Sequence, residues 1–180
     1  MATKNWVLDP THSEIHFKVK HLMITTVTGS FKNFTVAAET ENEDFSNAAI
    51  SFSADTTSVE TGSEQRDGHL KSADFFDAEK FPKMSFTSTG YAKKGDEYSL
   101  TGDLTIKDVT KPVTLSVEFG GVAKDPWGNT KAGFTLSGKI NRKDFGLTWN
   151  AATETGGLLV SEEVKIAAEI QLVEQVLEVA

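Results

Sequence analysis

Two of the four histidines stand in a segment that is spaced almost like a zinc motif, His-Ser-Glu-Ile-His at 12–16. Zinc proteases carry His-Glu-x-x-His on a helix, so that both imidazoles share a face with the glutamate between them. Here the glutamate is in the third place, and the segment alternates apolar and polar residues as a strand does. We therefore expect His12, Glu14 and His16 to share an exposed strand face, and we predict neither a metal site nor another cofactor.

His21 has a different setting, because alternation over 14–21 places it on the same face as Ile15, Phe17 and Val19. An imidazole on an apolar face needs a hydrogen-bond partner or has to stay uncharged. Two interpretations are open. His21 is either a core histidine bonded to the backbone, or a polar anchor inside or at the mouth of a ligand cavity.

A third polar group, Arg66, Asp67 and His69, lies in the insertion 55–82, which is too long for a hairpin loop and too polar for a strand. We expect a helix near 64–72 and a further helical turn after Asp77. One interpretation is an exposed helix whose Arg–Asp pair contributes little to stability. The neighbouring apolar residues instead favour a segment packed across an opening, with its polar residues turned towards a ligand; they are Leu70, Phe75, Phe76 and Phe81.

The rest of the sequence offers little for covalent chemistry. There is no cysteine, so disulfides and thiolate nucleophiles are excluded, and no Gly-x-Ser-x-Gly elbow or phosphate-binding glycine loop is present. The formal charge of -8 lacks the basic surface expected for nucleic acid or anionic lipid. No apolar run is long enough to span a membrane. The first ten residues lack an apolar leader, so we expect a cytoplasmic location, or a periplasmic one if a leader was removed.

Period-two alternation predicts the elements that position these side chains. About eight segments show it, at 14–21, 29–39, 48–54, 83–88, 97–107, 112–119, 131–142 and 162–173. Phe31 and Phe34 are out of phase, which predicts a bulge or sharp bend. Successive hairpins of this kind form an all-β barrel or a sandwich. Gly102 and Gly138 lie on the apolar faces, which favours the bent strands of a barrel.

The longest ordered motifs resemble one known family. WVLDPTHSEIHFKVKH, SVETGSEQRDGHLKSADFFDAEKFP, SLTGDLTIKDVTKPVTLSVEFGG and KINRKDFGL together are similar to the YceI family. The resemblance covers residues 6–172 and implies a single domain over 1–180. It implies an eight-stranded antiparallel lipocalin-like barrel with a short helical insert at about 63–80. It also implies that a long apolar chain, such as a polyisoprenoid, binds inside the barrel, with His21, Arg66, Asp67 and His69 near the pocket.

Alternation by itself predicts the residues that line such a cavity. They are Phe17, Val19, Phe52, Phe86, Leu104, Phe119 and Phe134, to which the insert adds Phe75 and Phe76. Gly102 and Gly138 on the inner faces are expected to leave room for a ligand.

We therefore expect a non-enzymatic protein that binds and carries or sequesters a polyisoprenoid, quinone or fatty-acyl chain. Two alternatives remain open at this point. One is an enzyme acting on a lipid head group with His21 or His69 as general base. The other is a structural or partner-binding β domain with a filled core. A cavity mouth rimmed by phenylalanines would also favour a homodimer.

Overall fold

The computed structural model describes residues 3–41, 45–150 and 159–175. In these ranges the chain forms one α-helix, α1 (Glu64–Lys71), and eleven strands. The strands are β1 (Lys4–Leu8), β2 (Glu14–His21), β3 (Thr25–Phe31), β4 (Phe34–Thr40), β5 (Ala49–Asp55), β6 (Val59–Glu60), β7 (Lys83–Lys94), β8 (Glu97–Ile106), β9 (Val109–Lys124), β10 (Thr130–Asn141) and β11 (Glu163–Gln175).

The strands close into a ring. Antiparallel pairing runs in the order β1, β4, β5, β7, β8, β9, β10, β11, and β11 pairs back with β1. The strands β2, β3 and β6 continue β1, β4 and β5 beyond short breaks, since β2 pairs with β11, β3 with β2, and β6 with β3. The result is an eight-stranded antiparallel barrel, as predicted, rather than a sandwich. The strand β1 was not among the predicted segments.

The first break separates β1 from β2 and corrects the placement of His12. Pro10 has no N–H for the β ladder, and Pro10–His12 form a single 3₁₀ turn. Asp9 caps this turn, because its Oδ1 accepts a hydrogen bond from the Thr11 amide at 3.2 Å. His12 therefore precedes the strand, and its Nδ1 lies 2.9 Å from Oδ2 of Asp9. Of the three residues expected on an exposed strand face, Glu14 is exposed and His16 is half-buried.

The second break falls where the two phenylalanines were out of phase. β3 ends at Phe31 and β4 begins at Phe34, so the predicted bend is present. The two residues between them bond to the end of β5 and to the segment that joins it to β6, because the Lys32 amide donates to Ser58 O at 3.2 Å and Asn33 O accepts from the Asp55 amide at 2.9 Å. The bend keeps Phe31 buried while Phe34 is half-buried.

Three strand glycines are covered by side chains from adjacent strands. A methyl group at Gly29 would overlap the ring of Phe17, and one at Gly102 would overlap the ring of Phe86. Gly138 is covered in the same way by the side chain of Leu115. The expectation that Gly102 and Gly138 leave room for a ligand is therefore wrong, because large apolar side chains already fill that room.

Aromatic rings fill one end of the barrel, which we call the closed end. The ring centroids of Trp6 and Phe45 are 4.9 Å apart, and those of Phe45 and Phe134 are 5.0 Å apart. Phe119 stacks on Phe134 at 5.2 Å and contacts Tyr98 edge-on. Phe45 has no solvent exposure, so this end is sealed by packed rings.

Candidate functional site

An apolar cavity of about 380 Å³ occupies the barrel between the closed end and α1. Phe45 and Phe134 line its floor, and β11 supplies one wall through every second residue from Val164 to Leu172. Six of the seven residues predicted from alternation line it, namely Phe17, Val19, Phe52, Phe86, Leu104 and Phe134. Phe119 does not, because its ring lies in the aromatic packing of the closed end.

The helix predicted near 64–72 forms the rim at the other end, the mouth of the cavity. Ser63 caps α1, since its hydroxyl accepts a hydrogen bond from the Arg66 amide at 3.3 Å. The predicted turn after Asp77 is also present, with the Phe81 amide donating to Asp77 O at 2.8 Å. Between helix and turn, Phe75 and Phe76 are buried and line the cavity. The insertion therefore packs across the opening, as expected.

His69 is built into an aromatic cluster at this mouth. Its ring lies 4.7 Å from that of Trp149 and 5.1 Å from that of Phe75, both edge-on. Its Nε2 lies 2.9 Å from Oδ2 of Asp74, which orients the imidazole. Trp149 lies a few residues after the 3₁₀ turn Arg142–Phe145 that follows β10, and it lines the cavity. The sequence analysis missed Trp149 because it belongs to no segment with period-two alternation.

Arg66 and Asp67, although adjacent in the sequence, have different surroundings. Asp67 does not line the cavity; its Oδ1 accepts hydrogen bonds from the Thr61 amide at 2.8 Å and the Thr61 hydroxyl at 2.6 Å. Arg66 does line it, while its Nε and Nη2 donate to the hydroxyl and carbonyl of Thr61, each at 2.7 Å. Asp67 thus anchors the helix start, and Arg66 presents a positioned guanidinium at the mouth.

Arg142 is a buried charge at the same mouth, and the sequence analysis did not single it out. Only 3% of it is exposed, and it lines the cavity. Its guanidinium donates to four backbone carbonyls, those of Leu147, Trp149, Val160 and Ser161, at 2.6–3.2 Å. Burial lowers the pKa of Arg142, and the nearby Glu162 acts against this. The sequence could have pointed to Arg142, because it lies in KINRKDFGL, one of the motifs that resemble the YceI family.

The position of His21 excludes the core interpretation. His21 ends β2 at the mouth, where it is exposed and lines the cavity. Its backbone pairs with that of Val160 across the rim.

The mouth concentrates positive charge in an acidic protein. Among the described residues that line the cavity, Arg66 and Arg142 are permanently charged, and His21 and His69 accompany them at the mouth. Lys20 and His16 also border the cavity, but they lie at outward-facing positions of β2. No aspartate or glutamate of the described chain lines the cavity, although the whole chain carries a formal charge of -8. An apolar cavity with a basic mouth suits a molecule with an apolar body and an acceptor or anionic end.

Two further observations bound the chemistry. Within residues 3–41, 45–150 and 159–175, no group of three or more His, Asp or Glu side chains is placed to hold a metal ion. In the same ranges no helix has the length and apolar character needed to cross a membrane.

A closed eight-stranded barrel with an internal apolar cavity and a helix at its mouth defines the lipocalin-like class of barrels. The sequence model of the YceI-like domain matches residues 6–172, and the chain therefore belongs to the YceI family. A UPF0312 protein of Staphylococcus aureus (strain MSSA476) is 40% identical over 168 residues, which are 93% of this chain and 96% of the relative.

Two solved structures share the fold. The Campylobacter jejuni YCEI protein superposes with a TM-score of 0.74 at 36% identity, covering 94% of this chain and 97% of the other. A polyisoprenoid binding domain from Saccharophagus degradans superposes with a TM-score of 0.65 at 14% identity, covering 94% and 98%. The second likeness concerns the fold alone.

Proposed function

We propose that this protein binds one long apolar chain of the polyisoprenoid, quinone or fatty-acyl type inside the barrel and carries or sequesters it. The observation that carries the proposal is the cavity of about 380 Å³, which is apolar along its walls, sealed at one end and basic at the other. This volume is at the lower end of the range of about 300–1,000 Å³ for ligand pockets. The Saccharophagus degradans domain, which has the same fold, is described as polyisoprenoid-binding.

The depth of the cavity limits the length of the chain. Lining residues on β11 extend from Val164 to Leu172, eight residues apart. At about 3.3 Å per residue and a strand tilt of about 40°, this is a depth of about 20 Å. Since three atoms of an extended backbone span about 3.5 Å, the cavity takes roughly 17 chain atoms, the length of about four isoprene units. Each buried CH₂ contributes about 0.8 kcal/mol, so affinity should rise with chain length up to this limit.

The basic mouth selects the other end of the ligand. Arg66 is exposed there, and Arg142 is buried and also lines the cavity. A guanidinium donates a fixed fork of N–H groups that matches a carboxylate or phosphate. We infer that the head group is such an anion or a strong hydrogen-bond acceptor and stays at the mouth, near Arg66, while the tail fills the barrel.

The two alternative functions have weaker support. A domain with a filled core would not need an apolar cavity of this size, because protein interiors are close-packed. An enzyme acting on the head group would use His21 or His69 as its general base. Among the described residues no hydroxyl side chain hydrogen-bonds either imidazole, and the imidazole of His69 bonds only to Asp74, so no nucleophile–base pair is formed.

The experiment compares the natural protein with two substitutions at neighbouring positions of β11. Ala168 is buried and lines the cavity, whereas Ala167 points to the outside. Each protein is purified without detergent, examined by native mass spectrometry, and titrated with the fluorescent fatty acid cis-parinaric acid. We expect the natural protein and Ala167→Phe to retain co-purified lipid and to bind the probe, and Ala168→Phe to lose both.

Circular dichroism checks that Ala168→Phe still folds, and Val113→Phe serves as a second cavity-filling variant because Val113 also lines the cavity. A natural protein that carries no lipid and does not bind cis-parinaric acid would overturn the proposal in favour of a filled core. Equal binding by a folded Ala168→Phe or Val113→Phe variant would show that the ligand lies outside the barrel.

A further inference from the structure

The hairpin turn between β2 and β3 exposes three consecutive apolar residues beside the mouth. Leu22, Met23 and Ile24, which we call the apolar tip, are 40%, 58% and 76% exposed. The tip adjoins the cavity, because the Leu22 amide donates to the carbonyl of Leu159 at 2.9 Å and Leu159 lines the cavity. Contiguous apolar surface of this kind marks an interaction site.

The backbone conformation of this turn disfavours the side chains that it carries. Leu22 and Met23 both have positive φ, 52° and 59°, and the Ile24 amide donates to His21 O at 3.1 Å. His21 pairs with Thr25, so the loop consists of the three tip residues, and positive φ at its first two positions strains large side chains and favours Gly or Asn. Two large apolar residues are therefore retained where turn formation disfavours them, which indicates a role outside the fold.

Three lysines lie on the outer face of the sheet, two of them two and four residues before the apolar tip on β2 and the third on the adjacent strand β11. Lys18 and Lys20 alternate outwards on β2, and Lys165 on β11 is directly opposite Lys18. Like charges at such a position destabilise a sheet. None of the three forms an ion pair with an acidic residue of the described chain, and the nearby Glu162 and Glu163 are paired with Lys143 and Lys139. The basic face is therefore available for an external anion.

We propose that the apolar tip inserts into the surface of an anionic lipid bilayer while these three lysines contact the head groups. Apolar residues at the acyl boundary together with basic residues at the head groups are the two components of interfacial membrane binding. The formal charge of -8 describes the whole chain, whereas head groups sense charge only within about 8–10 Å at physiological salt. Docked in this way, the cavity mouth faces the membrane, and an apolar chain could pass between bilayer and barrel without crossing water.

The test measures sedimentation with vesicles of phosphatidylcholine alone and of phosphatidylcholine mixed with phosphatidylglycerol. The key variant, Leu22→Asn/Met23→Gly/Ile24→Thr, removes the apolar tip and places Asn and Gly at the two positions of positive φ, so it should fold at least as stably as the natural protein. The matched control is Trp127→Ser, because Trp127 is 83% exposed in the β9–β10 turn at the closed end. A third variant replaces Lys18, Lys20 and Lys165 with glutamine.

We expect the natural protein and Trp127→Ser to bind the phosphatidylglycerol vesicles. The tip and lysine variants should bind these vesicles with an affinity lower by about tenfold or more. Binding should weaken as salt rises. Absence of vesicle binding by the natural protein, or an equal loss in Trp127→Ser, would overturn the proposal. Unchanged vesicle binding by the tip variant would also overturn the proposal. The same holds if light scattering shows that the only effect of the tip variant is to turn a dimer into a monomer, because the tip would then be a dimer contact.

Membrane docking does not depend on what occupies the barrel. A protein that binds cis-parinaric acid but no vesicles would therefore contradict the docking alone and leave the proposed function intact. Binding of cis-parinaric acid from solution is measured on the same proteins. We expect the tip variant to bind this probe like the natural protein but to take it up more slowly from phosphatidylglycerol vesicles. Equal uptake from vesicles by both proteins would contradict the transfer role.

Discussion

The ring of Phe86 on β7 lies directly over Gly102 on β8, where any side chain at 102 would overlap it and the Thr87 carbonyl. This contact shows that an inward-facing glycine need not mark free space. The free space of the barrel is the cavity, which is lined by side chains such as Leu104 and Ala168.

We predict that Gly102→Ala and Gly102→Leu destabilise the barrel rather than filling its cavity. Overpacking against a ring and a backbone carbonyl should cost about 1–3 kcal/mol for alanine and more for leucine. Urea denaturation measures the loss. The control is Gly90→Ala on β7, because a methyl group there meets nothing within 4 Å. A Gly102→Ala variant as stable as Gly90→Ala would show that Phe86 yields easily.

Arg142 is predicted to hold the backbone on both sides of the mouth. Arg142→Met removes the guanidinium from four carbonyls, of which that of Val160 keeps a donor, Asn150 Nδ2 at 2.8 Å. Each of the other three that water does not reach should cost about 1–3 kcal/mol. We expect a lower urea midpoint and faster hydrogen exchange at the amides of Leu147 and Ser161. Lys143→Met is the control, since it removes only a surface pair with Glu162, worth about 0–1 kcal/mol. Equal effects of the two substitutions would contradict this role.

The Asp9–Lys131 pair should make the barrel sensitive to acid. Lys131 Nζ donates to Asp9 Oδ2 at 2.6 Å, and this bond, with those from His12 and Thr11, holds the pKa of Asp9 well below its usual range despite burial. The pKa of Asp9 is thus lower in the folded protein than in the unfolded chain, where it is about 3.9. The ionised carboxylate therefore contributes its full stabilisation above about pH 3.9, and this contribution is lost as the pH falls from there through the folded pKa.

We therefore expect the unfolding free energy of the natural protein to fall more steeply below about pH 5 than that of Asp9→Asn. At neutral pH, Asp9→Asn should be less stable by about 1–3 kcal/mol, the value of a hydrogen bond to a charged group. A double-mutant cycle with Lys131→Met measures the coupling. If the unfolding free energies of the natural protein and Asp9→Asn depend on pH in the same way, the Asp9–Lys131 pair is not the source of the acid sensitivity.

Arg66 and Asp67 should separate ligand binding from stability. Arg66→Ala should weaken binding of a carboxylate-headed probe about ten- to hundredfold, through loss of a charge-assisted hydrogen bond. It should lower the thermal midpoint less than Asp67→Ala does, because the Arg66 bonds to Thr61 are exposed to solvent and those of Asp67 are partly buried. Asp67→Ala should lower the midpoint, because it loses both bonds to Thr61, with little change in affinity per folded molecule. The reverse pattern would place the head group away from Arg66. His69→Ala should change both quantities, because His69 is part of the mouth wall.

Local pattern in the sequence predicted most of the strands and a helix near 64–72, whereas alternation left barrel and sandwich open and the resemblance to the YceI family implied the eight-stranded barrel. Alternation with period two depends only on which side chains face an apolar interior, so it identified six lining residues without a structure. It failed for Phe119 because alternation shows the face of a strand but not the depth along the barrel. It also missed β1, a strand of five residues.

The tertiary structure alone decided what surrounds the mouth. His21, Arg66, Arg142 and Trp149 are separated by up to about 130 positions in the chain and meet only because the barrel closes between β11 and β1. Ring closure also placed the apolar tip beside that mouth. The register of β7 against β8 placed the ring of Phe86 over Gly102. Such contacts depend on the order and stagger of strands around the barrel, which no periodicity within one segment contains.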